Sequence, residues 1–457
     1  EKLQNNILRC FSSNVGPDLD DIYVRAAMLC RINSMGRGIS AISPENFKKY
    51  VDMYNAGIIP CVPEKGSLGA SGDLGPLAYI ALVATGAWRA KYQGEIMSGE
   101  EALKRAGLEA ARLNYKEGLA MINGTSMMVG VAAPLLYGAK RLVKQFCLVS
   151  AISLEALKGK IMPYHPTVHK NKPHPGQIKV ADAIWTTLAD SKMVVQDEEV
   201  DRWLSSMRTG EPQGMDQQIE DAYSMRATPQ ILGPSLDAIW SADQTLQIEI
   251  NSTNDNPLVI VEEGDAFHNA HFHGQYVSQA MDHLSIAIVN MCNLSDRRID
   301  RYLDPYHSNG LPPFLCKEDP GLRHGLMGGQ YCAASIMADM RSLCHPVSIQ
   351  TLTTTGDFQD HVSMGLVAAR RARDIVDNAY YIPAFELICA CQAVDQRDEG
   401  AAALSSVTRS IYEMVRELVP YLDHDEVLGD YISAVSDLLR EGRLLAALPN
   451  GDLVWND

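Results

Sequence analysis

Apolar residues return at intervals of three and four along most of this chain. Val407, Ile411, Met414, Val415, Leu418 and Leu422 share one face between Ser405 and Leu422, the repeat of an amphipathic helix. After the breakers Pro173 and Pro175, Ile178, Ala181, Ile184, Trp185 and Leu188 repeat the pattern. The stretch from Met281 to Leu294 reads as apolar almost all round, which predicts a helix at the centre of a bundle, and it turns polar at Ser295-Asp296-Arg297-Arg298. Strand alternation is scarce. Leu258-Val259-Ile260-Val261, ahead of Glu262-Glu263-Gly264-Asp265, is the best hairpin candidate. The first residues, Glu1 to Leu8, read as the middle of a helix, so further sequence is expected upstream.

Polar, Gly- or Pro-bearing connections fall near residues 56–76, 160–177, 208–216, 251–275, 305–322 and 353–361. Long loops on a rigid scaffold are where sites are usually built. No repeat of fixed period and no compositional break appears, which predicts one continuous helical body.

Composition narrows the classes. With 457 residues, 46% hydrophobic and 21% charged, the chain is neither low-complexity nor disordered. A net charge of -16 argues against a nucleic-acid partner, which attracts clustered Lys and Arg. The longest apolar run, Pro76 to Ala90, is too short for a bilayer of roughly 20 residues, so no membrane partner is expected. Ten Cys are scattered without framework spacing, and the close pair Cys389-Ala390-Cys391 lies in an apolar helical stretch. Buried thiols in a reducing cytoplasm fit this usage. His268, His271 and His273 fall within six residues, but carboxylates at ligand spacing are missing, and no metal is expected. His165, His169 and His174 sit in a Pro-rich connection as solvated or capping residues.

The most unusual segment is Gly66-Ser67-Leu68-Gly69-Ala70-Ser71-Gly72-Asp73-Leu74-Gly75-Pro76-Leu77. It reads as a tight loop feeding a helix N-terminus. A phosphate-cradling nest is one reading, but the loop has no Walker Lys-Ser/Thr and no strand is expected before it. The sharper reading makes Ala70-Ser71-Gly72 the precursor of its own cofactor. In a compressed loop the Gly72 nitrogen can attack the Ala70 carbonyl. Loss of water and dehydration of Ser71 would leave a 4-methylidene-imidazol-5-one ring. Only Gly lets its nitrogen approach so closely, and helix N-termini directed at the ring would favour negative charge there.

Seven motifs in order then carry a resemblance over essentially the whole chain. They are Leu3-Gln4-Asn5-Asn6, the Ala-Ser-Gly loop, Lys116 to Thr125, Asp221-Ala222-Tyr223-Ser224-Met225-Arg226, Asn254-Asp255-Asn256-Pro257, Phe272-His273-Gly274 and Phe358-Gln359-Asp360. Together they resemble the histidine and aromatic amino-acid ammonia-lyases and 2,3-aminomutases that share this ring, most nearly the bacterial phenylalanine 2,3-aminomutases. The resemblance implies a mainly all-α fold, a long antiparallel helical bundle with a small α+β part around the ring loop. Residues 1–165 would bear the loop and 166–457 the long-helix core. It also implies a homotetramer with shared active sites and a small aromatic amino acid as partner.

The implied roles fall residue by residue. Tyr223 and Arg226, three apart on one helical turn, can face one pocket. Arg226 suits a bidentate grip on a carboxylate. The resemblance places Tyr223 over the ring and gives Asn123 a hydrogen bond to ring or substrate. Gln359 stands where histidine lyases carry Glu and aromatic lyases Gln. Cys10 and Phe11 occupy the ring-selectivity pair, where tyrosine-specific members often have His and Leu. Phe11, Leu119, Tyr331 and Phe358 would form an apolar sleeve, with Phe272 nearby. The hydroxyl of Tyr331 would meet a substituted ring or satisfy a buried neighbour. The family's base is a Tyr on a loop upstream of Leu3-Gln4-Asn5-Asn6, and no residue of this chain matches it.

The expected activity is conversion of L-phenylalanine, or a ring-substituted analogue, to the β-amino acid through a cinnamate intermediate. The alternative is an ammonia-lyase that releases cinnamate or coumarate. A lyase of the fumarase/aspartase type would lack the Ala-Ser-Gly loop and the Tyr-Ser-Met-Arg motif. A non-catalytic helical scaffold remains the remote reading, and it predicts no near-UV ring absorbance.

Overall fold

The computed structural model describes residues 1–208 and 220–455; of the connection expected near 208–216, residues 209–216 lie outside them. Helices dominate. The longest run over Ser126–Ala156, Gln275–Leu303 and Thr228–Ile250. Contacts gather the chain into two compact units, each assembled from three separated segments. The division at residue 165 expected from the sequence is therefore a division of the chain, not of its contacts.

The first unit comprises Glu1–Tyr137, Ser241–Leu284 and His345–Arg373. All the strands among the described residues belong to it. Val15–Asp18 pairs with Pro63–Lys65, Ile59–Pro60 with Arg89–Tyr92, and Arg89–Tyr92 with Glu95–Ser98, all antiparallel. The expected hairpin is present, with Leu258–Ile260 antiparallel to Asp265–Phe267 and Gly264 at φ +66° in the turn. The centre of this unit is the helix Leu74–Ala84, buried on every side except at Gly75, which is why its sequence shows no polar stripe. It packs against helices Lys2–Phe11 and Glu117–Ile122.

The second unit comprises Gly138–Trp240, Ser285–Cys344 and Asp374–Asp457. Its most buried helix, Tyr381–Asp395, is covered by Met327–Leu343, Ser406–Arg416 and Leu428–Arg440. Cys389 and Cys391 are buried there, and Pro175–Thr187 forms the helix expected after Pro173 and Pro175.

Three expectations change. The helix expected to reach Leu422 starts at Ser406, capped by the Ser405 hydroxyl, and ends at Arg416 shortly before Pro420. The run Met281–Leu294 is not enclosed all round, since His283, Ile286 and Asn290 are exposed. The polar tetrad after it stays inside the same helix, and Arg298 is buried there. Its guanidinium pairs with buried Glu386, whose carboxylate also accepts from the Ser153 and Ser295 hydroxyls. A buried charge is tolerated when it is paired and hydrogen-bonded, and apolar periodicity does not register such pairs. No helix among the described residues is long and apolar enough to cross a membrane.

Candidate active site

A strand does precede the glycine loop. Pro63–Lys65 delivers the chain into it, and three residues with a Pro and two charges are too few to show alternation. Glu64 anchors that strand through Arg370 at 2.8 Å and Arg373 at 3.1 Å. Burial alone would raise the Glu64 carboxyl, but the two guanidiniums bring it below its ordinary value.

The loop then folds onto itself. The Gly72 N–H donates to the Gly69 carbonyl at 3.3 Å, and the two residues pair as an isolated bridge. Ser71 sits at φ +54°, a left-handed conformation costing a non-Gly residue about 1 kcal/mol or more. Gly72 is at φ +75°, and a Cβ there would lie 2.2 Å from the Gly124 carbonyl oxygen. At Gly69 it would lie 2.1 Å from Ser363 Oγ. Ala70-Ser71-Gly72 thus lies in a tight turn that leaves no room for side chains at Gly69 and Gly72, and these residues fit the precursor of the ring.

Asp73, which the sequence reading passed over, locks the far end of the loop. Its N–H donates to the Gly124 carbonyl at 2.8 Å. Its buried carboxylate accepts from the Met128 N–H at 2.7 Å and the Ser67 hydroxyl at 3.0 Å. Asp73 therefore caps the helix Ser126–Ala156, fifty residues away, and makes no side-chain cap to the helix that it precedes. Burial pushes its carboxyl up to about 7 against the pull of these donors. An Asp between Gly and an apolar run carries no sign in the sequence of a partner so far along the chain.

Asn123 lies at the C-terminal end of Glu117–Ile122, next to the Gly124 that bridges Gly72. Its Nδ2 donates to Asp255 Oδ1 at 2.8 Å, and its buried Oδ1 has no protein partner. Lys116 Nζ reaches Asp255 Oδ2 at 2.6 Å. Fully buried Arg31 donates to the Asn123 and Ala120 carbonyls at 2.7 and 2.6 Å. Asp255 and Arg31 thus hold Asn123 from both sides. Asp255 lay within a quoted motif, but nothing in the sequence set out this pairing.

A cavity of about 200 Å³ opens over the loop, lined by Phe11, Ala70, Gly72, Thr354, Thr355 and Gln359 among others. The first unit therefore brings together the precursor loop, one residue of the ring-selectivity pair and Gln359. Cys10 is exposed, Leu119 and Phe272 are half-buried, and Phe358 is 85% exposed. Tyr223, Arg226 and Tyr331 belong to the second unit. There the Arg226 guanidinium stands 5.2 Å over the Tyr223 ring and pairs with Glu220 at 2.6 Å, so the two do share one face of the short helix Tyr223–Arg226. His273 Nε2 meets the His361 carbonyl at 3.2 Å, and no group of His, Cys, Asp or Glu among the described residues is placed to hold a metal ion.

A glycine-locked Ala-Ser-Gly turn beside a buried Asn, carried on a helical scaffold, defines the class of ammonia-lyases and aminomutases that work with a methylidene-imidazolone ring. The model of the aromatic amino acid lyase family matches residues 1–417, and the chain belongs to that family and is an enzyme. Among solved structures, the Pantoea agglomerans phenylalanine aminomutase is 55% identical with a TM-score of 0.93, over 96% of this chain and 85% of that one. The tyrosine aminomutase of Streptomyces globisporus is 37% identical with a TM-score of 0.94, over 100% and 86%. Among curated relatives, the histidine ammonia-lyase of Natranaerobius thermophilus is 40% identical over 98% of this chain and 84% of its own.

Proposed function

We propose that this enzyme is an aromatic amino-acid 2,3-aminomutase that converts L-phenylalanine, or a ring-substituted analogue, to the β-amino acid through a cinnamate intermediate. The observation carrying this reading is the 55% identity to a phenylalanine aminomutase, against 40% to a histidine ammonia-lyase. Gln359 on the cavity wall, rather than an acid, supports an uncharged ring as the group bound there.

The cofactor in this reading is 4-methylidene-imidazol-5-one, formed from Ala70-Ser71-Gly72. It supplies an electrophilic carbon that turns the substrate amine into a better leaving group. The chain's own residues bind and orient. Arg226 grips the carboxylate with two parallel hydrogen bonds, its link to Glu220 fixing the guanidinium plane. Asn123 Oδ1, buried and unpartnered, accepts from the substrate ammonium. Phe11 offers apolar surface to the ring, as Leu119, Phe272, Tyr331 and Phe358 would in a complete sleeve. A cavity of about 200 Å³ falls below the roughly 300–1,000 Å³ of complete small-molecule sites. That shortfall supports a homotetramer in which further copies finish each site. The buried thiols fit a reducing, cytoplasmic setting.

Mutase and lyase differ in whether cinnamate waits for the nitrogen to return. Roughly 1.4 kcal/mol in the release barrier changes that partition tenfold. Chiral chromatography of an incubation with L-phenylalanine decides the matter, with β-phenylalanine expected to dominate and some cinnamate as leakage. Cinnamate and ammonia in equal amounts, with no β-amino acid at any time, would overturn the mutase reading. Identity of 41% to the tyrosine ammonia-lyase of Cupriavidus metallidurans supports the lyase as the second reading.

A further inference from the structure

The segment Thr354–Gln359 closes on itself over the cavity. Thr354 N–H donates to the Gln359 carbonyl at 2.9 Å, and Gln359 N–H returns to the Thr354 carbonyl at 3.3 Å. The side chains then converge. Thr355 Oγ1 lies 2.8 Å and Thr354 Oγ1 3.2 Å from Gln359 Oε1. Among the described hydrogen bonds, none takes up Gln359 Nε2. Thr355 holds φ +55°, disfavoured for a β-branched residue. Glycine would make that turn without strain, so what threonine adds is its hydroxyl.

We infer that Thr354 and Thr355 are positioning residues that make Gln359 a one-way selector, their hydroxyls occupying its carboxamide oxygen so that Nε2 is the end presented to the ligand above Ala70 and Gly72. A primary amide has an accepting and a donating end, and two donors on one atom fix which is which. The outward donor disfavours a ring nitrogen that carries a proton, as either nitrogen of an imidazolium does, because two donors would then face each other in a confined space. A ring without a donor meets no such penalty. A carboxylate at position 359 would still accept both hydroxyls on one oxygen, while its other oxygen became an outward acceptor. The threonine pair therefore suits either residue, and the exchange inverts only the face that the ligand meets. This inference deepens the aromatic reading and rests on it.

The test is a cycle of inhibition constants on the active enzyme, with 3-phenylpropanoate and 3-(imidazol-4-yl)propanoate as probes. Gln359→Glu is expected to move the ratio of the two constants toward the imidazole probe by roughly tenfold or more, as for a hydrogen bond to a charged group. In the Thr354→Val/Thr355→Val background the same exchange should move it by less than about threefold. Thr354→Ser/Thr355→Ser keeps both hydroxyls and should restore the full shift, which a merely structural role would not require. Thermal melts report whether the variants fold. Thr355→Val alone, which removes the shorter bond, carries the same expectation if the pair does not fold. An undiminished shift in the valine background, or its loss with serine, overturns the inference. An unsubstituted enzyme that prefers the imidazole probe would instead overturn the aromatic reading, while the cycle still reports on the threonines.

Discussion

Asn123 and Asp255 are joined by a buried hydrogen bond of 2.8 Å, although 132 positions separate them in sequence. The bond takes one hydrogen of the Asn123 amide, the Asn256 carbonyl stands 3.4 Å from the same nitrogen, and Lys116 balances the carboxylate from its other oxygen. Asp255→Ala would leave a buried amide and a part-buried ammonium without their partner. Breaking such a pair costs about 3 kcal/mol or more, so a clear fall in Tm is expected. Asp255→Asn keeps the shape, but its amide can present a donor to the Asn123 amide. A loss of kcat/KM with a smaller change in Tm is expected, and steady-state kinetics beside a thermal melt would check it.

Ser71→Ala should leave the fold intact while abolishing both near-UV ring absorbance and activity, because in the proposed reading Ser71 supplies the methylidene. Full activity would sink the cofactor assignment. Gly72→Ala is a harsher change. Its Cβ would meet a backbone oxygen at 2.2 Å, so something in the Gly124 segment must move, at a cost of about 2–3 kcal/mol. Far-UV circular dichroism should therefore separate the two variants.

Arg226→Lys should raise KM by an order of magnitude or more, since a point charge does not replace a planar fork. Glu220→Gln is a milder probe of the same grip, because it removes the charge facing Arg226 and leaves the guanidinium in place. A normal KM in Arg226→Lys would move the carboxylate site elsewhere.

Asp73 makes stability depend on pH in an unusual direction. Its carboxyl rises from 3.8 to about 7 on folding, with burial as the main cause. The folded chain thus holds a proton that the unfolded chain has released. That contribution is complete below pH ~4 and is lost as the pH climbs through about 7. Asp73→Asn does not titrate, and its oxygen can serve Met128 while its NH2 meets Ser67. The stability of the unsubstituted enzyme relative to this variant should therefore fall between about pH 4.5 and 7.5, by up to a few kcal/mol. Urea titrations at the two ends of that window measure it, and a difference that grows with pH would refute the protonation of Asp73.

Much of the helical body was legible because amphipathic helices write their burial into a period of three to four. Ile178, Ala181 and Ile184 fall within the observed helix, and the hairpin at Leu258 carries its turn signal in Gly264. Position 298 shows the limit, since a buried Arg looks like a surface residue until its partner at 386 is known. The same holds at the site. The precursor loop stood out by its glycines, because tight turns have a local signature. Asp73, Asp255 and Arg31 did not, because what they do is set by atoms brought in from tens to hundreds of positions away, and the threonine pair did not because its bond to nearby Gln359 depends on a left-handed turn at a non-glycine residue. The roles carried over by resemblance to Tyr223, Arg226 and Tyr331 concern groups of the second unit, and each remains for the substitution experiments to test.

The three-segment composition of the first unit has a consequence for synthesis. Its opening segment ends at Tyr137, but Arg370 and Arg373, which clasp Glu64 beside the glycine loop, lie at the end of the last segment. At ~5–20 residues per second, a ribosome needs roughly 10–50 s to cover the intervening chain. Throughout that interval the helix Leu74–Ala84 can pack against Lys2–Phe11 and Glu117–Ile122, which emerge with it, but Glu64 beside the glycine loop lacks both of its guanidiniums. A premature stop before residue 370 would strand the nascent chain in that state, with the precursor tripeptide formed but its clasp never delivered.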